Sequence, residues 1–298
     1  MRPYYWMVKR TPQTEWIERK GILLWLAFFF IELGAGIFFI AAFFDSLVAM
    51  VIGWLVCGVL GGGLHLLYLG KPRRFYRMVL RPQTSWIARG LLFVALFLIL
   101  GLVHMVLALF SGLPTALIIV TNIFAFLTII YGGFAMNSVN GIPLWNTALL
   151  PVLYVISGLW GGAEVTLGVA LATGETAVGT AVEEWIRILL IGFVFLILVY
   201  LISVRYVSVT GEASIKYMVL SKWSPLFWIG VVILGMVIPS IAIISSFLTG
   251  LEASLVIFLY VAIFCGLVGD LAMRYLILKC AFYSPLIPTS SQPYPGVS

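Results

Sequence analysis

Residues 47–69 read LVAMVIGWLVCGVLGGGLHLLYL, and residues 70–90 read GKPRRFYRMVLRPQTSWIARG. The first stretch has 23 residues and no charge, which is long enough to cross the roughly 30 Å hydrocarbon layer of a bilayer as one helix. The second stretch contains six basic residues and no acidic one. A basic connection beside an apolar run indicates a helical membrane protein, in which the connection fixes orientation, holds an anionic group or does both.

The composition of the whole chain supports the same class. Of its 298 residues, 63% are hydrophobic and 9% are charged, which is too little charge to cover the surface of a soluble domain. None of the apolar runs alternates with period two, and helices satisfy every backbone polar group inside lipid. We therefore predict an all-α integral membrane protein with lipid as its surroundings and no nucleic-acid partner.

Eight apolar runs are long enough to span the bilayer. They cover residues 21–44, 47–69, 88–110, 115–137, 145–172, 185–209, 225–248 and 253–280. We predict two four-helix bundles, residues 1–140 and 141–283, joined near Asn140, with no convincing internal repeat. Residues 284–298 are rich in Pro, Ser and Thr without apolar periodicity, which predicts an extended tail.

The two ends of the spans differ in charge. With eight spans, 16 of the 17 Lys and Arg residues fall on the side of both termini, and only Arg187 falls on the other. The positive-inside rule assigns the basic side to the cytoplasm, so we predict a multi-pass protein of the inner, or cytoplasmic, membrane. The opposite side carries the acidic residues Asp45, Glu175, Glu183, Glu184 and Glu252.

The metal-binding residue types are few and dispersed. Cys57, Cys265 and Cys280 form no C-x-x-C pair that would hold a cluster or attach a haem. His65 and His104 lie at different depths, because His104 is about 16 residues, or roughly 24 Å, into its span. They cannot clamp one haem between them, although a haem with one histidine and another ligand stays open. We expect no haem, iron–sulfur cluster or metal site in this chain.

Three polar residues in the first four spans are candidates for a site, because such side chains are costly inside a membrane, roughly 2.5–3.5 kcal/mol for a charged one at the bilayer centre. Glu32 lies midway along span 1, beside Gly34 and Gly36. His65 and Tyr131 lie nearer the basic side. Each has a structural explanation: a helix contact for Glu32, a hydrogen bond for His65 and an interfacial position for Tyr131. Together they could line one crevice under the basic loop.

A second polar set lies in the last four spans. Glu164 is in span 5, Arg187 begins span 6, and Asp270 and Arg274 are one helical turn apart in span 8. The spacing of Asp270 and Arg274 puts them on one helix face, where they could neutralise each other. A buried ion pair and a proton or water path are both consistent with this pattern.

Several motifs together resemble the NrfD/polysulfide-reductase membrane subunit family. They are residues 69–78 (LGKPRRFYRM), 81–90 (RPQTSWIARG), 34–36 (GAG), 131–132 (YG), 143–146 (PLWN) and 149–151 (LLP). The similarity covers most of the chain and is strongest over residues 21–160. The block from Leu-Gly-Lys-Pro to Thr-Ser-Trp is the most specific part.

The resemblance implies a respiratory function, of the kind used in anaerobic respiration. A subunit of this family is expected to exchange electrons between quinone, either menaquinone or ubiquinone, and a ferredoxin-like iron–sulfur subunit of the four-cluster type. A catalytic subunit, often a molybdopterin enzyme, would complete the oxidoreductase complex. This chain would then be its membrane anchor and either a non-catalytic or a quinone-reacting subunit.

The resemblance also implies roles for residues. Tyr131 matches the family's span 4 tyrosine that hydrogen-bonds a quinone oxygen, while His65 and Glu32 are the other candidate quinone-site residues. The basic loop would receive the iron–sulfur subunit through Arg73, Arg74, Arg77 and Arg81. Because some relatives are thought to move protons, Glu164, Arg187, Asp270 and Arg274 form a candidate proton path. The alternatives are a solute or ion transporter without redox activity and a passive anchor.

Overall fold

The apolar runs form helices throughout the part of the chain that is described. The computed structural model describes residues 5–71, 76, 82–110, 112, 114–250 and 255–287. Within these ranges, eight helices are long and apolar enough to cross a membrane. In chain order, spans 1 to 8 are Gly21–Phe43, Leu47–Tyr68, Trp86–Phe110, Thr115–Asn137, Leu149–Thr173, Thr176–Val207, Leu226–Thr249 and Val256–Lys279. The predicted all-α, eight-span class is confirmed.

Two spans are not α-helical throughout. Span 2 is α-helical over Leu47–Leu55 and Gly63–Tyr68, with a π-helical stretch at Val56–Gly62 between them. Span 7 begins with a π-helical stretch, Leu226–Val237, and continues as the α-helix Ile238–Thr249. The described chain also includes the short helices Tyr5–Val8 and Val209–Leu220, and the two-residue strands Thr11–Pro12 and Phe282–Tyr283.

The largest difference from the predicted boundaries is in span 6. Its helix begins at Thr176 rather than at residue 185, and has 32 residues. Residues 176–184 (TAVGTAVEE) are too polar to be recognised as part of an apolar run, but they continue the same helix. At 1.5 Å per residue the helix is about 48 Å long, so it extends beyond a roughly 30 Å hydrocarbon layer.

Span 1 occupies the centre of the structure. Of the residues in its most apolar stretch, 67% are buried, against 28% in spans 2, 3 and 6. Span 1 packs against spans 2, 4, 5 and 8, and so contacts helices from both halves of the chain. A polar side chain on the buried faces of span 1 therefore meets other helices rather than lipid.

The glycines beside Glu32 mediate helix contacts. A side chain at Gly34 would clash with Gly53 and Cys57 of span 2. One at Gly36 would clash with Gly158 of span 5, and one at Gly162 of span 5 would clash with Gly36. Small residues at such positions allow two backbones to approach closely, which gives membrane helices their packing energy. These glycines hold span 1 between spans 2 and 5.

Two main groups of buried apolar side chains are present in the described chain. One is built mainly from spans 1 to 4, and the other mainly from spans 5 to 8 with the connection before span 5. This distribution is consistent with two four-helix bundles. The division near Asn140 into separate units stays a prediction, because span 1 contacts both groups.

The segments before span 1 and after span 8 meet at one end of the helices. Strand Thr11–Pro12 pairs antiparallel with Phe282–Tyr283, and the Gln13 side chain donates a hydrogen bond to the Leu278 carbonyl at 3.0 Å. Lys279 Nζ donates a hydrogen bond to Glu18 Oε1 at 2.5 Å, and this bond lowers the pKa of the Glu18 carboxyl from its usual value. The two terminal segments are therefore on the same side of the helices, as predicted.

Replacing Gly36 with Ala should destabilise the protein, because the added methyl group would collide with the backbone of Gly158. Overpacking of this kind costs about 1–3 kcal/mol. The measurement is the thermal midpoint of detergent-purified protein. Gly63→Ala is the matched control, since nothing lies within 4 Å of its added methyl group. Equal midpoints for the two variants would contradict the proposed span 1 to span 5 contact.

Candidate functional site

The candidate site is organised around the aromatic ring of Phe28 on span 1. The His65 ring of span 2 lies 5.5 Å from the Phe28 ring, edge to face. The Tyr131 ring of span 4 lies 5.6 Å from Phe28 on a tilted approach. Trp16, from the segment before span 1, stacks on Phe28 at 6.1 Å. One apolar ring thus holds two polar side chains from different spans.

Glu32 lies one helical turn deeper than Phe28 on the same face of span 1. Its carboxylate fills the space where a side chain at Gly132 would lie. Gly132 directly follows Tyr131, so the carboxylate of span 1 reaches the backbone of span 4 beside the tyrosine. The structure therefore brings together Glu32, His65 and Tyr131, the three residues predicted to line one crevice.

These three residues are deeply buried, and two of them retain unused hydrogen-bonding capacity. Glu32, Tyr131 and His65 are 0%, 2% and 8% exposed. Among the described residues, His65 Nδ1 and Glu32 Oε1 have no hydrogen-bond partner. Nearly all buried polar atoms in native proteins are bonded, so atoms of this kind call for a ligand or an ordered water. The cluster has the polar chemistry of a binding site.

Glu32 also connects the first-half cluster to the second half of the chain. Arg274 of span 8 donates from Nη1 to Glu32 Oε2. The same guanidinium donates from Nε to Asp270 at 3.0 Å and from Nη2 to the Ser157 hydroxyl at 2.6 Å. The predicted pairing of Asp270 with Arg274 is present, but Arg274 also bonds to spans 1 and 5.

The guanidinium of Arg274 is enclosed on its remaining sides by aromatic rings. Its central carbon lies 4.4 Å from the centre of the Tyr154 ring and 5.8 Å from that of Phe29. Arg274 is 3% exposed. An arginine desolvated in this way is stable only when its hydrogen bonds and its charge are satisfied by partners. The set Glu32, Ser157, Asp270 and Arg274 is called the arginine cluster below.

Glu164 lies on the same helix as Ser157, toward the acidic side. Its carboxylate lies against Gly266 of span 8, which is four residues, or about 6 Å, along the helix from Asp270. Glu164 is 2% exposed, and its Oε2 has no hydrogen-bond partner among the described residues. Glu164 therefore extends the line of buried polar groups from the arginine cluster toward the opposite face.

Arg187 is not part of this line. Its guanidinium lies over the Phe247 ring of span 7, 4.9 Å from the ring centre. It lines an apolar groove between spans 6 and 7 on the outside of the protein. Of the four residues predicted to form a proton path, the structure places three in the interior and Arg187 at the periphery.

The four arginines predicted to dock a partner, Arg73, Arg74, Arg77 and Arg81, lie outside the described residues. The end of the same connection is described. There Arg89 donates to the carbonyl oxygens of Pro82 and Gln83 at 2.6 and 2.7 Å, and its guanidinium lies 4.6 Å from the Trp86 ring centre. Arg89 thus fixes the entry into span 3.

A polar cavity of about 540 Å3 lies at the same face as the terminal segments. It is lined by Thr14, Glu15, Glu18, Arg19, Lys20, Gly21 and Tyr68. Tyr68 is three residues after His65 in span 2, so this water-accessible cavity lies about one helical turn from the buried imidazole.

The two histidines lie at different depths, as expected. His65 contacts Phe28, whereas His104 contacts Phe38 at 5.6 Å. The two phenylalanines are ten residues, or about 15 Å, apart along span 1. Within the described ranges, the structure contains no group of three or more His, Cys, Asp or Glu placed to hold a metal, and the three cysteines are free and buried.

Sequence reasoning missed the residues that bind Arg274 from span 5. Tyr154 and Ser157 are three residues apart and therefore share a helix face with Gly158 and Gly161. This face carries both the glycines that admit span 1 and the side chains that contact the guanidinium. A small-residue face containing a hydroxyl was the available signal for a helix contact of this kind.

The architecture defines a multi-pass membrane protein whose helices enclose a line of polar residues. A family model described as "Polysulphide reductase, NrfD" matches residues 20–285, so the chain belongs to the NrfD family. The resemblance found in the sequence motifs is thus confirmed. Membrane subunits of this family typically interact with quinone within oxidoreductase complexes.

Two curated relatives match part of this chain. It is 25% identical over 183 residues to "Protein NrfD" of Escherichia coli (strain K12), a match that covers 58% of this chain and 53% of that protein. It is 25% identical over 153 residues to "Protein NrfD homolog" of Haemophilus influenzae, covering 50% of this chain and 47% of the relative. The chain thus spans about half the length of the curated relatives it matches.

Replacing Arg274 with Met should strongly destabilise the protein, because Glu32 and Asp270 would be left buried without a counter-charge. Breaking a buried pair from one side costs about 3–5 kcal/mol. The measurement is the yield and thermal midpoint of purified protein, with the exposed Arg205→Gln as control. The triple variant Glu32→Gln, Asp270→Asn, Arg274→Met should recover much of the loss. A triple variant as unstable as Arg274→Met would refute charge balance as the cause.

Proposed function

We propose that this chain binds quinone or quinol in the cluster around Phe28 and exchanges electrons between the quinone pool and an iron–sulfur partner subunit. The observation that carries the proposal is the unpaired hydrogen-bonding capacity of His65 Nδ1 and Glu32 Oε1, buried among apolar rings beside Tyr131. Membership of the NrfD family supports it.

The residues fit a quinone headgroup in kind and in number. The ligand has two carbonyl oxygens on a flat ring, and it takes up two electrons and two protons on reduction. Tyr131 donates through its hydroxyl, the His65 imidazole donates or accepts at its ring nitrogens, and Phe28 offers an aromatic face. We propose that Tyr131 and His65 hydrogen-bond to the two quinone oxygens and that the quinone ring packs against Phe28 between them.

In this proposal, Glu32 moves protons for the site. Its Oε2 accepts from Arg274, while its Oε1 faces Gly132 beside Tyr131 without a partner. Glu32 and Asp270 together carry two negative charges when both are ionised, against the one positive charge of Arg274. The cluster can therefore hold one additional proton without becoming net positive, and Glu32 is the member of it that lies next to Tyr131.

Two routes could supply protons to this cluster. The shorter one runs from the polar cavity at Tyr68 to His65, about one helical turn away. The longer one runs from Asp270 to Glu164 and on toward the acidic face. A cavity of about 10 Å3 lined by Glu164, Ile186 and Pro239 lies on that side, which is close to the space that one water requires. We propose the shorter route for quinone chemistry and keep the longer one as a candidate proton path.

The partner would bind the basic face in this proposal. Arg73, Arg74, Arg77 and Arg81 give that face its positive charge, which attracts an acidic surface on an iron–sulfur subunit. Electrons would then pass directly between the partner's cluster and the quinone. A molybdopterin-containing catalytic subunit would complete the complex, and the charge distribution favours the cytoplasmic side for this face.

Tyr131→Phe should lower quinol-linked turnover by about 10- to 100-fold, since it removes one hydrogen-bond donor to the buried headgroup. Assembly and thermal midpoint should change little. The measurement is quinol oxidation or quinone reduction by the intact complex, normalised to folded protein. Tyr200→Phe is the control, because it removes another buried phenol whose hydroxyl bonds to Leu144 at 2.6 Å, away from the site. Equal turnover in both variants would remove Tyr131 from the proposed site.

Mild purification separates this function from transport or passive anchoring. Electron exchange predicts co-isolation of an iron–sulfur protein and about one bound quinone per chain. The amount of bound quinone should be lower in Tyr131→Phe and unchanged in Tyr200→Phe. Isolation without either, together with solute uptake in proteoliposomes, would favour a transporter. If the partner co-isolates and the complex keeps its wild-type turnover after the bound quinone is lost, the chain would be a passive anchor.

A further inference from the structure

A long apolar groove on the outside of the protein lies away from the proposed quinone site. Spans 6 and 7 make few contacts with each other, and the groove between them has a volume of about 590 Å3. Phe195 and Phe247 in its walls are 63% and 66% exposed. In a bilayer these walls face lipid. Arg187 is the charged residue of the groove, and it lies at the end nearer the acidic face.

The positions of the two arginines on span 6 set the depth of the groove. Arg187 and Arg205 are separated by 17 uncharged, mainly apolar residues, and 18 helical steps correspond to about 27 Å. This separation is close to the roughly 30 Å thickness of a hydrocarbon layer. Arg187 and Arg205 therefore mark the two headgroup regions, and Arg187 lies at headgroup depth on the acidic side.

The groove is about one leaflet deep. From Arg187 to Leu198, which lines its inner end, is eleven helical steps, or about 16 Å. Half of the hydrocarbon layer is about 15 Å. The groove thus offers a positive charge at the level of a headgroup and an apolar channel of the length that an acyl chain occupies in one leaflet.

Arg187 has hydrogen-bonding capacity to spare. Its guanidinium lies over the Phe247 ring at 4.9 Å. Within the described part of the chain it makes no salt bridge, and its Nε is buried without a hydrogen-bond partner. A guanidinium at this depth is placed to bind a lipid phosphate, because its planar fork of donors matches two phosphate oxygens.

Two carboxylates lie one helical turn beyond the arginine. Glu183 and Glu184 precede Arg187 by four and three residues, so they flank its face of span 6 on the side of the headgroups. Glu184 is exposed, and Oε1 of the buried Glu183 has no partner among the described residues. A ligand that places a phosphate on Arg187 and an ammonium group one turn further out would give Arg187 and the exposed Glu184 oppositely charged partners.

We propose that this groove binds one phospholipid with an ammonium-bearing headgroup, of the phosphatidylethanolamine class. The phosphate binds Arg187, the ammonium group lies beside the exposed Glu184, and one acyl chain fills the groove to Leu198. An isoprenoid tail would fill the channel without using Arg187. An anionic phospholipid would use Arg187 but would be repelled by the two carboxylates.

The test is native mass spectrometry of the full chain, with any subunits that co-purify, during titration with phosphatidylethanolamine or phosphatidylglycerol. Wild-type protein should retain one phosphatidylethanolamine in preference to phosphatidylglycerol. Arg187→Gln should weaken binding about tenfold, the effect of losing one charge-assisted contact. Arg205→Gln, at the other end of the same span, is the matched control and should bind as wild type does.

Two further variants keep the test decisive if Arg187→Gln reduces the yield. Glu184→Gln should narrow the preference for phosphatidylethanolamine over phosphatidylglycerol while leaving a phospholipid bound. Leu198→Trp should block the channel and reduce binding with all charges intact. The proposal is overturned if both Arg187→Gln and Leu198→Trp bind like wild type, if wild type prefers phosphatidylglycerol, or if the molecule retained is a quinone or a second protein helix.

Discussion

A guanidinium removed from water has to be surrounded by acceptors, and the arrangement of the helices around Arg274 follows from this constraint. Arg274 donates one hydrogen bond to span 1, one to span 5 and one to its own helix, while aromatic rings cover its faces. Because Glu32 and Asp270 are buried as well, none of the three charges tolerates the loss of the others. The result is a fixed relation between the first, fifth and last spans, at the depth where the polar residues of the candidate site begin.

The same interaction ties the proposed quinone site to the second half of the chain. Glu32 contacts span 4 beside Tyr131 with one oxygen and Arg274 of span 8 with the other. A change in the protonation of Glu32 would therefore alter its contacts with span 4 in the first half and with span 8 in the second half. A polar residue at this position is costly in lipid, and its cost is offset by Arg274. The geometry makes Glu32 the link between two residue sets that look independent in the sequence.

The sequence predicts the spans well, because the ability to cross a bilayer depends on the length and polarity of a local segment. It predicts the pairing of Asp270 with Arg274 for the same local reason, since they are one turn apart. The contact between Glu32 and Arg274 joins positions 242 residues apart, and a single sequence does not state which helices are neighbours or which faces meet. The start of span 6 was misplaced because its first turns are helical but not apolar.

The contact between Glu32 and Arg274 also has a consequence for biogenesis. Span 1 is synthesised before span 8, and at roughly 5–20 residues per second Glu32 and Arg274 are made about 10 to 50 s apart. During that interval Glu32 is in the membrane, or in the insertion machinery, without the cation that will neutralise it. The aromatic and aliphatic residues that precede it, such as Phe28, Phe29 and Ile31, then have to keep span 1 inserted. Span 8 then completes a cluster that span 1 began, so the contacts of Glu32 and Ser157 with Arg274 form only after span 8 has been inserted.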